Sequence, residues 1–389
     1  MKKILLSLTI MTLLASCAGR RVEITVTNSL HIDRLNETVE IPCDEIRRQL
    51  GESTYVVTDA AGNEIPSQMI YEGATLPQKL IFQATVRPDA SAVYYVKKGL
   101  PEDYTKNTYG RFAPERYDDY IWENDRIAFR IYGEALIAKD GPSNGIDAIM
   151  KRTGAMFLDK IYNDYFEKKQ SYHIDHGEGV DCYNVKRSLG AGAMAPYAGG
   201  QLWLGENFTG HRTLDNGPLR TSFRLTYDTL LVNGLPLLET RIFSLDAGSQ
   251  LNKITVIFDG APEAMPVAAG IVLKKDGLPA EVADADPNHQ PVLLPEKRYV
   301  AYSEQGDRAK PQYDNGIVYT AVVFPYPLQH ATLAERHVLA LSAYTPGGIT
   351  YYAGAGWSKW GFDTPESWTD YVETFSRKLQ NPLQITISR

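Results

Sequence analysis

Between Val22 and Val26 apolar residues alternate with Glu23 and Thr25, the two-residue period of a strand with one buried face. Thr58-Asp59-Ala60-Ala61-Gly62-Asn63-Glu64 is rich in turn residues and predicts a hairpin, and Leu80-Ile81-Phe82 opens another strand. One short helix, Asp44 to Leu50, is closed by Gly51. Residues 22–100 therefore read as a small β-sandwich, a spacer ahead of the next unit. Leu100 to Pro114 is polar and lacks a period, as a linker does. Beyond it Ile127, Phe129 and Ile131 alternate with Ala128, Arg130 and Tyr132. Similar runs follow at Arg220–Tyr227, Leu237–Leu245, Leu251–Phe258, Val267–Leu273, Gly316–Phe324, His337–Ala343 and Ile349–Ala353. Turns rich in Gly, Asn, Asp and Pro separate them, without the regular helices of a βαβ fold. The fold class is all-β, with a larger unit over residues 115–389. One helix stands near the end: Thr364 suits an N-cap, Pro365 the first turn, and Trp368, Tyr371, Val372, Phe375 and Leu379 recur at helical spacing. A last strand, Leu383 to Ile387, is expected to return to a sheet edge.

Composition narrows the function. The chain of 389 residues has a formal charge of −7 and no basic run, which argues against nucleic acid as a partner. Its 24 tyrosines supply flat, polar-tipped surfaces of the kind that stack on sugar rings. At the N-terminus, Lys2 and Lys3 precede an apolar run from Ile4 to Leu14, which ends in Leu14-Ala15-Ser16-Cys17. That run is too short for a permanent membrane span and reads as a secretory signal over residues 1–17. Its ending resembles a bacterial lipobox, with Cys17 as the lipidated new N-terminus and the membrane as partner through that anchor. The absence of an acidic run after Cys17 points to a periplasmic or cell-envelope lipoprotein of a Gram-negative bacterium. For Cys43 and Cys182, two buried thiols are favoured over a disulfide.

Candidate chemistry concentrates in Ser171 to Tyr197. It holds two of the seven histidines, His173 and His176, with Asp175, Glu178, Asp181, Tyr183 and Lys186, punctuated by glycines. Ionisable residues on glycine-rich loops are where ligands are handled. An imidazole near neutral pH suits proton transfer, with Tyr183 as donor. The histidine spacing matches no zinc signature, so metal ligands are set at none. No cofactor motif stands out, although acidic loops offer oxygens that a divalent cation such as calcium accepts. By strand parity Glu239 and Arg241 share a face with Phe243, and Arg220 shares one with Arg224. These neighbouring strands are expected to line one concave, acid-binding face beneath the histidine loop. His211 and Arg212 precede Arg220 in a loop, and arginine grips carboxylates through two parallel hydrogen bonds. Trp357 and Trp360 suit either sugar stacking or stapling the last helix to the sheet.

The run from Tyr172 to Tyr183, the segment Asn216-Gly-Pro-Leu-Arg220, Gly145-Ile-Asp-Ala-Ile-Met-Lys151 and Gly356-Trp-Ser-Lys359 with Trp368 resemble the domain-of-unknown-function family numbered 4861. The resemblance implies a galactose-mutarotase-like supersandwich as the large unit, and members in polysaccharide-utilising bacteria. The favoured reading is a lyase on acidic, uronic-acid-containing oligosaccharides. Arg212, Arg220 or Lys186 would neutralise the uronate, His173 or His176 would take the proton, and Tyr183 would protonate the leaving oxygen. A hydrolase or epimerase using Glu239 is a second reading. A non-catalytic carbohydrate-binding lipoprotein, resting on Trp357 and Trp360, is a third.

Overall fold

The computed structural model describes residues 20–274 and 289–388, so Cys17 and the expected signal segment lie outside the described residues. Val22, Ile24 and Val26 are fully buried on the strand Arg21–Thr27, which pairs with Ser91–Lys98, itself paired with Tyr55–Asp59. A second sheet, formed by Arg34–Pro42, Lys79–Val86 and Ser67–Ile70, packs across a core of Val39, Ile41, Leu80 and Phe82. The predicted hairpin forms because the Asp59 carboxylate accepts from the Ala61 and Asn63 amides, each at 2.9 Å.

The final strand, Gln384–Ser388, pairs with Arg21–Thr27 in antiparallel register, Ile24 opposite Ile387. Leu383 and Ile387 pack on the core of this first sandwich. The chain's end therefore completes the N-terminal sheet rather than an edge of the large unit. The small sandwich is also docked on its neighbour. Gln68 accepts from the amides of Leu219 and Arg220, at 2.9 and 2.8 Å, and donates to the Arg220 carbonyl at 2.9 Å. Asp215 accepts from the Tyr71 amide at 2.6 Å. The segment expected as linker is shorter than its polarity suggested, since Thr108–Ala113 already pairs with Asp119–Asn124.

Three further sheets carry the rest. The largest holds nine strands among the described residues. Along its path run Gly210–Asn216, Arg220–Thr226, Leu235–Asp246, Leu251–Asp259, Ile349–Trp357, Ile317–Val323, Tyr299–Gln305 and Gln290–Leu294. A five-stranded sheet centred on Pro266–Val272 shares its core, where Val267, Ala269 and Ile271 meet Ile254, Val256 and Tyr351. The helix Pro365–Gln380 is capped as expected, Thr364 accepting from the Ser367 amide at 3.2 Å. It buries Trp368 and Val372 against the outer face of the nine-stranded sheet.

The remaining sheet positions the site. Its strands run Thr108–Ala113, Asp119–Asn124, Ala128–Ile131, Asp147–Lys151 and Gly179–Val180. One face presents Trp122 and Phe129 to Phe223 and Phe243 of the large sheet. The other presents Ile121, Ala128 and Ile149 to a helix that the sequence pattern did not announce, Leu158–Phe166. Covered on both sides, the strands Asp119–Asn124, Ala128–Ile131 and Asp147–Lys151 are buried throughout and offer a charged side chain no solvent face.

Candidate functional site

Asp119, Arg130 and Asp147 belong to the helix-covered face, one residue pair beyond its apolar patch. Side chains alternate along a strand, so each lies two positions from Ile121, Ala128 or Ile149. The register sets Arg130 directly opposite Asp147. The Arg130 guanidinium is 3% exposed and is held on several sides. Its Nε and Nη2 donate to Asp147 Oδ2 at 3.0 and 2.5 Å, and Nη2 donates to Asp181 Oδ2 at 2.8 Å. Asp119 stands 3.9 Å from Nε, with Arg116 3.5 Å from the same carboxylate. Nη1 of Arg130 is buried without a hydrogen-bond partner among the described residues.

From this cluster the loop of residues 171–190 wraps over the end of the sheet. Its path is fixed by glycine: at Gly190, with φ of +60°, a Cβ would sit 2.2 Å from the Ile146 carbonyl oxygen. The Asp181 amide donates to the Tyr172 carbonyl at 2.8 Å, which presents the Asp181 carboxylate to Arg130 and its carbonyl to His173. His173 Nδ1 donates to that carbonyl at 3.1 Å and stands 3.7 Å from the Asp181 carboxylate. Its side chain remains 48% exposed, with Nε2 as the nitrogen left for a ligand.

Arg116, Arg130, His173 and Asp181 line a cleft of about 870 Å³, with Asp119 and Asp147 behind its wall. Its walls include Arg116, Arg130, Tyr132, His173, Asp181, Tyr183, Lys186, Arg187 and Arg308, with Asp140 and Asp307 at the margin. Five cationic side chains thus face three carboxylates, an excess that favours an anionic ligand in a chain that is acidic overall. Tyr132 donates to Asp147 Oδ2 at 2.5 Å and lies beneath two guanidinium groups, with Arg130 and Arg116 at 5.3 and 5.6 Å from its ring centre. Tyr183 carries Lys274 over its ring at 4.4 Å, while its hydroxyl is buried with no partner among the described residues.

Burial governs the titration of the region. It pushes Asp119 up to about 7, against the pull of Arg130 and Arg116. It raises Asp147 as well, and it drives the hydroxyls of Tyr132 and Tyr183 well above the usual tyrosine range. Behind Tyr183, burial takes Glu304 up to about 8, although Lys274 lies 3.5 Å away. Carboxyls raised this far near a cleft accompany proton-handling sites. Among the described residues no group of three or more His, Cys, Asp or Glu side chains gathers as a metal site.

A family profile described as Domain of unknown function (DUF4861) matches residues 26–385. The chain belongs to that family. This DUF4861 chain is 31% identical over 403 residues to a protein of Formosa agariphila named Uncharacterized protein P7, covering 97% of the one and 96% of the other. Among solved structures it is similar to a glycosyl hydrolase family 38 protein and to an alpha-mannosidase, both from Enterococcus faecalis. Each has a TM-score of 0.52 at 11% identity and covers 95% of this chain, but only 47% and 46% of the solved ones. The likeness at that identity concerns fold, and the chain spans about half the length of those structures. The DUF4861 chain is all-β, a small sandwich followed by a supersandwich, with one long helix near its end.

Of the site residues expected in the DUF4861 chain, the cleft brings together His173, Tyr183 and Lys186. His176 lies outside it, beside the helix Leu158–Phe166, with Nε2 3.2 Å from the Ser171 carbonyl oxygen. The expected single acid-binding sheet face does not form. Glu239 and Arg241 do share a face, but it is the one between the sheets. There they make a buried pair at 2.5 Å, and Arg241 also donates to the Asn144 carbonyl at 2.8 Å. Arg220 stands opposite Asp246 at the sheet's end and is held by Asp246 and Glu40 of the small sandwich, at 2.5 and 2.6 Å. Arg212 donates to the Gly73 carbonyl at 2.6 Å, and His211 stacks on Phe112 at 4.0 Å. Trp357 is buried, its indole donating to the Asn315 carbonyl at 2.6 Å. Trp360 is half-buried near Arg126. Cys43 and Cys182 are free and buried, the latter in the cleft wall.

Sequence reasoning missed Arg116, Arg130, Tyr132 and Asp147. One signal was available for two of them. Arg130 interrupts an otherwise apolar strand, and Asp147 sits in the Gly145–Lys151 segment that carried the family resemblance.

Proposed function

We propose that this protein is a carbohydrate-active enzyme that cleaves acidic, uronic-acid-containing oligosaccharides by β-elimination in the cleft beneath the loop of residues 171–190. The observation that carries this reading is His173, oriented by Asp181 within a cleft whose walls are predominantly cationic. Elimination needs the uronate charge neutralised so that the C5 proton becomes acidic, and a base to remove that proton. Arg116, backed by the unsatisfied Nη1 of Arg130, meets the carboxylate of the reacting sugar. Lys186, Arg187 and Arg308 at the rim meet further charges along the chain. His173 Nε2 takes the proton. The fold likeness to two glycosidase-class proteins supports a carbohydrate as ligand.

Each alternative loses a residue on which it rested. Hydrolysis calls for two opposed carboxylates, and Glu239 is buried against Arg241 away from the cleft. A binding-only protein would rest on an exposed aromatic platform, and of its two expected tryptophans Trp357 is buried and Trp360 half-buried. We further propose that the chain is anchored to the cell envelope by lipid on Cys17. Cys17→Ser is expected to release it from the membrane fraction, and unchanged fractionation would refute the anchor.

The test is a screen of purified protein on uronate-containing oligosaccharides and their carboxyl-reduced counterparts, read by the ultraviolet absorbance of a new C4–C5 double bond. Absorbance is expected only with the charged set. New reducing ends without absorbance would replace the lyase by a hydrolase, and a preference for the neutral set would remove the role of the arginines.

A further inference from the structure

His173 and Tyr132 both line the cleft, and one continuous set of polar contacts joins them behind its wall. His173 Nδ1 faces the Asp181 carboxylate at 3.7 Å. Asp181 Oδ2 accepts from Arg130 Nη2 at 2.8 Å, the same nitrogen donates to Asp147 Oδ2 at 2.5 Å, and that oxygen accepts from the Tyr132 hydroxyl at 2.5 Å. Every interior member is almost wholly buried: Arg130 at 3%, Asp181 at 4% and Asp147 at 0% exposure. A buried polar network of this kind fixes its end groups in place. We propose that Tyr132, rather than Tyr183, is the proton donor that works opposite His173. This inference rests on the elimination reading above and supplies its missing acid.

The two tyrosines differ in what stands behind the hydroxyl. Tyr132 has Arg130 and Arg116 over its ring, so a phenolate formed there meets two cations that counter the neighbouring carboxylates of Asp147 and Asp181. It also has a carboxyl partner, Asp147, through which its proton is held. Tyr183 has Lys274 over its ring, but its hydroxyl has no hydrogen-bond partner among the described residues, and burial first, then the charges of Glu304 and Asp147, push it well above the usual tyrosine range. A phenolate at Tyr183 would have one cation, Lys274, and no hydrogen-bond partner among the described residues to return its proton.

The step balances. His173 Nε2 takes the C5 proton and becomes an imidazolium. The electron pair of the C5–H bond forms the C4–C5 double bond as the C4–O bond breaks. Tyr132 gives its proton to the departing oxygen and becomes a phenolate beside Arg130 and Arg116. Solvent then carries the proton from His173 back to Tyr132, and no oxidant or co-reactant enters.

The test compares two leaving groups. Wild type, Tyr132→Phe and Tyr183→Phe are assayed on a uronate oligosaccharide, and on a uronate bearing a nitrophenolate at C4, which departs without needing a proton. Loss of a positioned acid is expected to slow the oligosaccharide by about a hundred- to ten-thousand-fold. With the nitrophenolate substrate, Tyr132→Phe is expected to stay within about tenfold of wild type. Tyr183→Phe should show no such selectivity. Equal loss on both substrates, or the selective pattern in Tyr183→Phe, would overturn the assignment while leaving elimination standing. A wild type inert on both substrates overturns the elimination reading, and Tyr132's role with it. Circular dichroism checks that the variants fold. Should Tyr132→Phe not fold, Tyr132→fluorotyrosine keeps the shape and the bond to Asp147. Its more acidic phenol must then move the alkaline limb of the kcat profile to lower pH, and an unmoved limb counts against the proposal.

Discussion

Arg130 and Arg220 are both strand arginines buried among carboxylates, yet they do opposite things. Arg220 has a partner at each nitrogen position it offers: Asp246 across the sheet and Glu40 from the small sandwich. Burial alone would raise Glu40, but Arg220 and Lys79 overcome it and hold that carboxyl down to about 2. Around Arg130 the balance runs the other way, with Asp119 pushed up to about 7 and Nη1 left open. A satisfied ion pair joins two parts of a fold. An over-supplied, incompletely bonded one keeps capacity for a ligand or a proton. The difference lies in unsatisfied atoms, which charge and strand parity do not report.

The largest expected effect separates two histidines only three positions apart. His173→Ala should lower turnover of an acidic oligosaccharide by about a hundred- to ten-thousand-fold while ligand binding persists. His176→Ala, outside the cleft, should stay close to wild type. Steady-state kinetics beside calorimetric binding checks this, and equal losses in the two variants would place the catalytic base elsewhere.

Next comes the clamp. Arg220→Ala leaves Glu40 and Asp246 facing each other without their shared cation. Breaking a buried pair from one side costs roughly 3–5 kcal/mol, with the lower end appropriate here because both carboxylates keep some solvent contact. Chemical denaturation should show that loss, whereas turnover per folded molecule should not change. A selective fall in affinity for charged substrates, with stability intact, would return Arg220 to the binding site.

Above about pH 5 the cleft side has a pH signature that the clamp side lacks, since folded Glu40 and an ordinary glutamate are both ionised there. A glutamate ordinarily loses its proton near 4.5, but folded Glu304 does so at about 8. Between those values the folded protein binds the extra proton, so stability falls as pH rises and the full penalty is present above about 8. Each tenfold change in proton affinity is worth about 1.4 kcal/mol, which makes roughly 5 kcal/mol an upper bound before the surroundings relax. Glu304→Gln should therefore flatten the stability profile between pH 5 and 8, and should melt higher than wild type at the alkaline end, about pH 8. Parallel profiles for the two proteins would mean that Glu304 ionises normally.

Much of the fold was legible because strands declare themselves locally. Val22, Ile24 and Val26 alternate, Asp59 caps its own turn and Thr364 caps its own helix, all within a few residues. The pairing of Gln384–Ser388 with Arg21–Thr27 was not legible, because nothing local tells an edge strand which of several edges it joins. The site divides in the same way. His173, Tyr183 and Lys186 share one polar, glycine-punctuated loop and could be found together. Glu239 and Arg220 were misplaced because parity says which residues share a face, and not whether that face meets solvent, a second sheet or another unit. Arg130 was passed over because a lone arginine in an apolar strand reads as an interruption until Asp147, seventeen residues on, is seen opposite it.

The smallest expected effect is at Arg212, and it sharpens the comparison for that reason. Like Arg130 it is an arginine near a strand end with acceptors in reach, and its sequence neighbourhood looked better suited to gripping an anion. Its guanidinium is exposed, however, and donates at 2.6 Å to the Gly73 carbonyl of the small sandwich. Water competes for that bond at little cost, so Arg212→Ala should change stability by no more than about 0.5 kcal/mol. Nothing about Arg212 faces the cleft, so affinity for an acidic oligosaccharide should be unchanged at both low and moderate salt. Arg130→Gln, measured alongside, should weaken binding of the charged oligosaccharide and leave the neutral one alone. If Arg212→Ala instead lost affinity for charged ligands while Arg130→Gln kept it, the anion site would lie at the seam with the small sandwich. The roles assigned to the two arginine clusters would then be exchanged.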